Sequence, residues 1–159
     1  MLLLDQMIYI KIKGSILLDS EQLKKLVLAS FEAEKNNDIE INKALLHPNF
    51  KMVDMVLSSD LKPFPSLEGE ELEKQIQLAF PIKGRQFVFH TVIADEDSQK
   101  VIIEFTESYP DPKSKKVYRT PQIAVCEIKD GKIYRTRHYM DPRISHKNIS
   151  SEDLEDCFR

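Results

Sequence analysis

Apolar positions recur at helical spacing early in this chain and at every second residue later on. Leu23, Leu26, Val27, Ser30, Phe31 and Glu34 form one stripe of a helix. Asp19 and Gln22 have the spacing of a capping box, which starts that helix near Asp19 or Ser20. Asn36, Asn37 and Asp38 end it, and Asp38 can cap a second short helix running through Leu46. His47, Pro48 and Asn49 predict a turn, residues 50–57 a strand, and residues 58–66, with Pro63 and Pro65, an irregular loop. A Glu- and Leu-rich helix follows over residues 69–80, stopped by Pro81.

From Gln86 onward the period becomes two. Residues 87–94, 100–109, 117–128 and 132–140 read as strands separated by acidic, Pro-rich or Asp-Gly turns. At the start of the chain, Ile8, Ile10 and Ile12 alternate with Tyr9, Lys11 and Lys13, as an amphipathic strand or as a leader ahead of the domain. The tail beyond Asp141 is polar and acidic, with at most one short helix over residues 151–157. The expected organisation is a leader or extra strand over 1–18, one domain over 19–145 and a tail over 146–159. Helices followed by a meander of long strands predict an α+β fold, with the helices on one face of a curved sheet.

The final hairpin decides which side chains face the helices. A two-residue turn at Asp130-Gly131 would mix Arg135 and Arg137 with Ala124 and Cys126, leaving neither face fit for burial. A three-residue loop, Lys129-Asp130-Gly131 with glycine at a bulge, separates the chemistry. Gln122, Ala124, Cys126, Tyr134, Thr136 and His138 then share one face, and Ile123, Val125, Glu127, Ile133, Arg135 and Arg137 the other. The bulged loop is the better choice, so His138 is expected to point inward. On the strand after the second helix, Asp54 shares its parity with Phe50, Met52 and Val56 and is expected to point inward too.

Composition narrows the class. The chain has 159 residues, enough for one domain with a single core. Its net charge of −3, with both signs interspersed, argues against a phosphate-neutralising surface and so against nucleic acid. The apolar run in MLLLDQM is too short for a signal peptide, and no stretch is long enough to span a bilayer. Cys126 and Cys157 make no disulfide framework, so a soluble cytoplasmic protein is expected. His47, His90, His138 and His146 lack metal-ligand spacing, and four scattered glycines form no phosphate loop. Neither a metal nor any other cofactor is expected.

The order of elements, the segment LLHPNFKMVD over residues 45–54 and the closing DGKI…Y.D resemble the SnoaL-like proteins. These share the cystatin-like cone fold of nuclear transport factor two and ketosteroid isomerase: a curved, mixed but mainly antiparallel sheet wrapped around N-terminal helices, with an internal pocket. The resemblance covers roughly residues 20–142. It implies that Asp54 stands at the catalytic-base position of ketosteroid isomerase, a carboxylate base beside an oxyanion hole. The two oxyanion-donor positions hold Ser30 and Ala124 instead of tyrosine and aspartate, which argues against steroid isomerisation. Against the pattern of the SnoaL-type cyclases, the last-strand acid/base position falls on His138, which suits proton transfer with a pKa nearer neutrality. Limonene epoxide hydrolase shares the fold, but the three members of its Asp-Arg-Asp set do not all find counterparts along the sequence.

Asp54 and His138 are therefore the expected catalytic pair, Asp54 as base and His138 as acid or as the group that tunes it. Ser30, Tyr118, Gln122, Cys126, Tyr134, Thr136 and Met140 are the expected ligand-binding wall, with Cys126 read as an inert buried thiol. The expected ligand is a small hydrophobic or carbonyl-bearing molecule, and the expected chemistry is of isomerase, cyclase or hydratase type. The alternative is a non-catalytic ligand-binding or association module on the same fold. The outer face, with Ile123, Val125, Ile133 and Tyr139 and a charged rim of Glu127, Arg135 and Arg137, is expected to form a homodimer.

Overall fold

The computed structural model describes residues 10–12, 15–55, 66–110, 116–141 and 158. Ile10–Ile12 (β1) and Ser15–Leu17 (β2) pair antiparallel, so the alternating stretch at the start of the chain is a strand where it is described. The first helix, Ser20–Lys35 (α1), begins at an Asp19 N-cap with both hydrogen bonds of the capping box in place. It buries Leu23, Leu26, Val27, Phe31 and Ala33, essentially the stripe its spacing predicts. Its end is a Schellman motif: Asn37 takes φ 58°, Asn37 N–H donates to Glu34 O and Asp38 N–H to Ala33 O. Asp38 then caps Ile39–Leu45 (α2) through Ile41 N–H. Asn42 ties the two helices together by donating to Ser30 O and Oγ.

The strand after α2, Leu46–Asp54 (β3), starts earlier than expected. His47, Pro48 and Asn49 do not turn the chain; they form an irregularity within the strand, whose register shifts between Leu46 and Lys51. Pro48 has no N–H to give the ladder, so a bulge there satisfies the same local chemistry that suggested a turn. Ser66–Leu67 (β4) pairs with Met52 and Val53, which corrects the expected loop at its last residue; residues 56–65 lie outside the described part. The third helix, Gly69–Ala79 (α3), starts on a glycine at φ 57° and buries Leu72, and Phe80 caps its far end.

Gln86–Asp95 (β5), Lys100–Pro110 (β6), Val117–Lys129 (β7) and Lys132–Met140 (β8) form an antiparallel meander. The six-stranded sheet has the order β4-β3-β8-β7-β6-β5, with β3 parallel to β8. Helix α1 lies on its concave face. Leu23, Val27, Val101, Ile103 and Phe105 are the largest fully buried side chains among the described residues. Phe31 meets Phe87, Phe89 and Phe105 edge-on at 4.9–5.5 Å between ring centres.

The β7–β8 turn differs from the expected one. Lys129 pairs with Lys132, so Asp130 and Gly131, at φ 51° and 71°, form a two-residue turn. The bulge lies further on, at Tyr134: Ile128 pairs with Ile133 but Glu127 with Arg135. Beyond the bulge the register is the one the three-residue loop predicts, with Cys126 opposite Thr136 and Ala124 opposite His138. Before it, the faces reverse. Ile133 is buried in the core, and Tyr134 packs edge-on against His47, outside the concave face. Ile133 therefore does not belong to the outer face.

A second bulge, at His90, settles the face of a residue whose register the sequence leaves open. Its Nε2 lies 2.9 Å from Thr106 Oγ1 and its ring stacks on Phe158 at 3.7 Å. The short helix expected over residues 151–157 lies outside the described residues. Among the described residues, no helix is long and apolar enough to cross a membrane.

Candidate functional site

The concave face of the sheet, α1, α2 and α3 enclose a cavity of about 460 Å³, within the range of sites for small molecules. Most of its wall is apolar, from Phe31, Phe50, Phe80, Phe87, Phe105 and the aliphatic side chains between them. Asp54, His138, Ser30, Gln122, Cys126, Thr136 and Met140 all line it. Tyr118 and Tyr134 do not. Tyr134 is turned away by the bulge, and Tyr118 sits opposite Tyr109 at the strand ends with ring centres 5.7 Å apart, Tyr109 taking the place on the cavity wall.

Asp54 ends β3 directly beside His138 of β8, and Met55 N–H donates to His138 O at 2.7 Å. Burial alone raises the Asp54 carboxyl above its usual range. Burial also pushes His138 down to about 4, so its imidazole is neutral at physiological pH. The Cys126 thiol is pushed up to about 12 by burial, with Thr136 Oγ1 donating to its sulfur at 3.8 Å. It is an inert wall atom. Ser30 Oγ accepts from Asn42 Nδ2 at 3.0 Å, which occupies one of its two lone pairs.

At another part of the wall stands a cluster that sequence reasoning missed. Arg85, just before β5 and with only 3% of its side chain exposed, pairs with Glu34 of α1 and, through Nε at 3.0 Å, with Glu107 of β6. Burial raises both carboxyls, against the pull of Arg85, and Glu34 reaches about 7. Gln122 Nε2 donates to Glu107 at 2.9 Å, and Gln122 Oε1 lies 3.2 Å from His138 Nδ1. The polar groups thus run continuously from Glu34 to His138 across an otherwise apolar cavity. A signal for this existed. Glu34 falls on the apolar stripe of α1, and Glu107 shares the inward parity of Val101, Ile103 and Phe105. Carboxylates on core-facing positions demand a buried cation.

The cone with a lined cavity agrees with what the chain is similar to. The model of the SnoaL-like domain family matches residues 27–136. The chain belongs to that family. Its solved relatives include an M. tuberculosis LEH-like epoxide hydrolase, at 19% identity and TM-score 0.64, covering 87% of this chain and 96% of that one. A Bacillus subtilis protein described as a candidate isomerase matches at 22% identity and TM-score 0.66, covering 78% of this chain and 89% of its own. A protein with a cystatin-like fold from Methylobium petroleophilum matches at 15% identity and TM-score 0.59, with 78% of each chain covered. At these identities the likeness is one of fold: this chain is a cystatin-like cone of the SnoaL-like family. No curated protein matches it in sequence.

Proposed function

We propose that this SnoaL-like protein binds a compact, largely apolar, carbonyl-bearing molecule in the cone and moves a proton on it without a cofactor. The observation that carries this reading is the placement of Asp54 and His138 side by side on the cavity wall. Asp54, with its basicity raised by burial, takes a proton from the carbon next to the carbonyl; the C–H bond breaks, the O–H bond of the acid forms, and the electron pair passes to the substrate oxygen. Returning the proton to another carbon completes an isomerisation. The Glu34–Arg85–Glu107 cluster, which exchanges a proton near neutrality, supplies hydrogen-bond donors for the developing negative charge. Fold neighbours include proteins described as an epoxide hydrolase and as a candidate isomerase, which supports small-molecule chemistry in the cone.

The test is deuterium uptake from heavy water at carbons adjacent to the carbonyl, followed by NMR across a panel of small cyclic ketones, with a thermal-shift screen in parallel. Uptake catalysed by the wild type and lost in Asp54→Asn supports the reading. A panel that neither binds nor exchanges rejects it.

A second reading, an association module, is favoured by one observation. Ile93, Ile102, Ile123 and Tyr139 are 40–56% exposed on the convex face of the sheet. We propose that a cytoplasmic homodimer forms through this face, whichever activity the cavity has.

A further inference from the structure

The cavity holds a directional polar chain, one ion pair followed by two hydrogen bonds, that starts from a buried guanidinium. The guanidinium of Arg85 has donors and no acceptor, and its Nε lies 3.0 Å from Glu107 Oε1, within ion-pair distance. The other oxygen of Glu107 is 2.9 Å from Gln122 Nε2, and a carboxylate there can only accept. Gln122 must therefore present its NH₂ to Glu107 and its carbonyl oxygen to His138. That oxygen is 3.2 Å from His138 Nδ1 and also only accepts, so Nδ1 must carry the hydrogen.

An imidazole without such a partner samples both tautomers. Here the buried arginine selects one through two intermediates, Glu107 on β6 and Gln122 on β7, and each link polarises the next. We propose that Glu107 and Gln122 are positioning residues that lock His138 with its proton on Nδ1, so that Nε2 serves the cavity as a hydrogen-bond acceptor selecting ligands that carry a hydroxyl group, whether an alcohol or the enol of a carbonyl compound.

This deepens the proton-transfer reading and rests on the cavity being a ligand site, but its first test does not. Long-range ¹H–¹⁵N spectra of the full-length protein at neutral pH report which ring nitrogen of His138 carries hydrogen. The expected pattern is a neutral ring protonated on Nδ1 in the wild type. In Gln122→Met, which removes both links at similar volume, both tautomers are expected. Glu107→Gln is expected to loosen the lock through the intact Gln122, because its amide can face Gln122 either way. A wild-type ring protonated on Nε2, or on both nitrogens, overturns the proposal even if Gln122→Met fails to fold. So does an unchanged pattern in a folded Gln122→Met.

The ligand arm uses cyclohexanol and methoxycyclohexane, which share a ring and differ in the donor. The alcohol is expected to shift the His138 Nε2 resonance and to bind about tenfold more tightly than the ether, with the preference lost in Gln122→Met. Equal affinities overturn the selectivity. Binding of neither compound, with the Nδ1 tautomer intact, counts against the cavity as a ligand site and leaves the lock standing.

Discussion

Asp54 and His138 are neighbours across the parallel strand pair β3 and β8, and both side chains line the same cavity. Parallel pairing puts them at equal depth. Asp54 ends β3, while His138 sits two residues before the end of β8. The carboxylate is made more basic by burial and the imidazole less basic, so the two do not compete for one role near neutral pH.

Asp54→Asn is expected to lower proton-exchange activity by about a hundredfold or more, the usual contribution of a positioned general base. Its fold should be at least as stable as the wild type at neutral pH. A carboxyl whose pKa is raised in the folded state weakens the fold once it ionises, and the amide removes that cost. Steady-state exchange rates and thermal melts check the two halves separately.

The pH dependence of stability should show two opposing contributions. Glu34 goes from an ordinary 4.5 to about 7 on folding, so the folded state binds more protons and stability falls as pH rises between those values. His138 goes from 6.5 to about 4, so the unfolded state binds more protons and stability falls as pH drops through that window. The windows overlap and the effects oppose. Glu34→Gln should therefore unmask stability rising with pH between about 4 and 6.5, and His138→Phe should unmask the reverse, each on the order of 1–3 kcal/mol. Asp54 and Glu107, both also raised, add to the Glu34 side. Urea unfolding at a series of pH values gives both slopes, and identical profiles in the two variants would refute the assignment.

Arg85→Met should destabilise the protein by about 3–5 kcal/mol at neutral pH, because it leaves Glu34 and Glu107 in the cavity without their shared cation. Lowering the pH should recover part of the loss as the carboxyls take up protons. Adding Glu34→Gln and Glu107→Gln should recover most of it. Urea midpoints of the single and triple variants make the comparison.

These expectations rest on features of unequal legibility. The capping box at Asp19 and Gln22 and the stripe from Leu23 to Phe31 are local, and a helix follows from them directly. The inward face of Cys126, Thr136 and His138 was legible because only one register of the hairpin separates apolar from charged side chains. Where the extra residue sits was not. A glycine-containing loop and a two-residue turn followed by a bulge produce the same register beyond the bulge and differ only at Ile133 and Tyr134. Arg85 was harder still. Its partners lie on α1 and β6, and only the packing of α1 onto the sheet brings them together. The family pattern added a place for Asp54 but no counterpart for this cluster.

The convex face yields the last prediction. Ile93 pairs across the strands with Ile102, which pairs with Val125; Glu104 pairs with Ile123, which pairs with Tyr139. Apart from Glu104, which accepts from Thr91 Oγ1, these contiguous positions make one apolar band on the side away from α1. The charges that border it are partnered within the chain, since Glu127 meets Arg135 at 2.7 Å and Arg137 at 3.0 Å, and the shared carboxylate leaves the cluster net positive. A second copy could cover the aliphatic part of the band while Glu104 and the Glu127 cluster stay at a hydrated rim, the usual anatomy of a protein interface. Light scattering should give the wild type twice the chain mass. Ile123→Lys, at the centre of the band, should give a monomer that keeps the cavity and the pH profile of His138. A wild type that is monomeric at micromolar concentration, or an Ile123→Lys variant that still dimerises, would move the interface elsewhere.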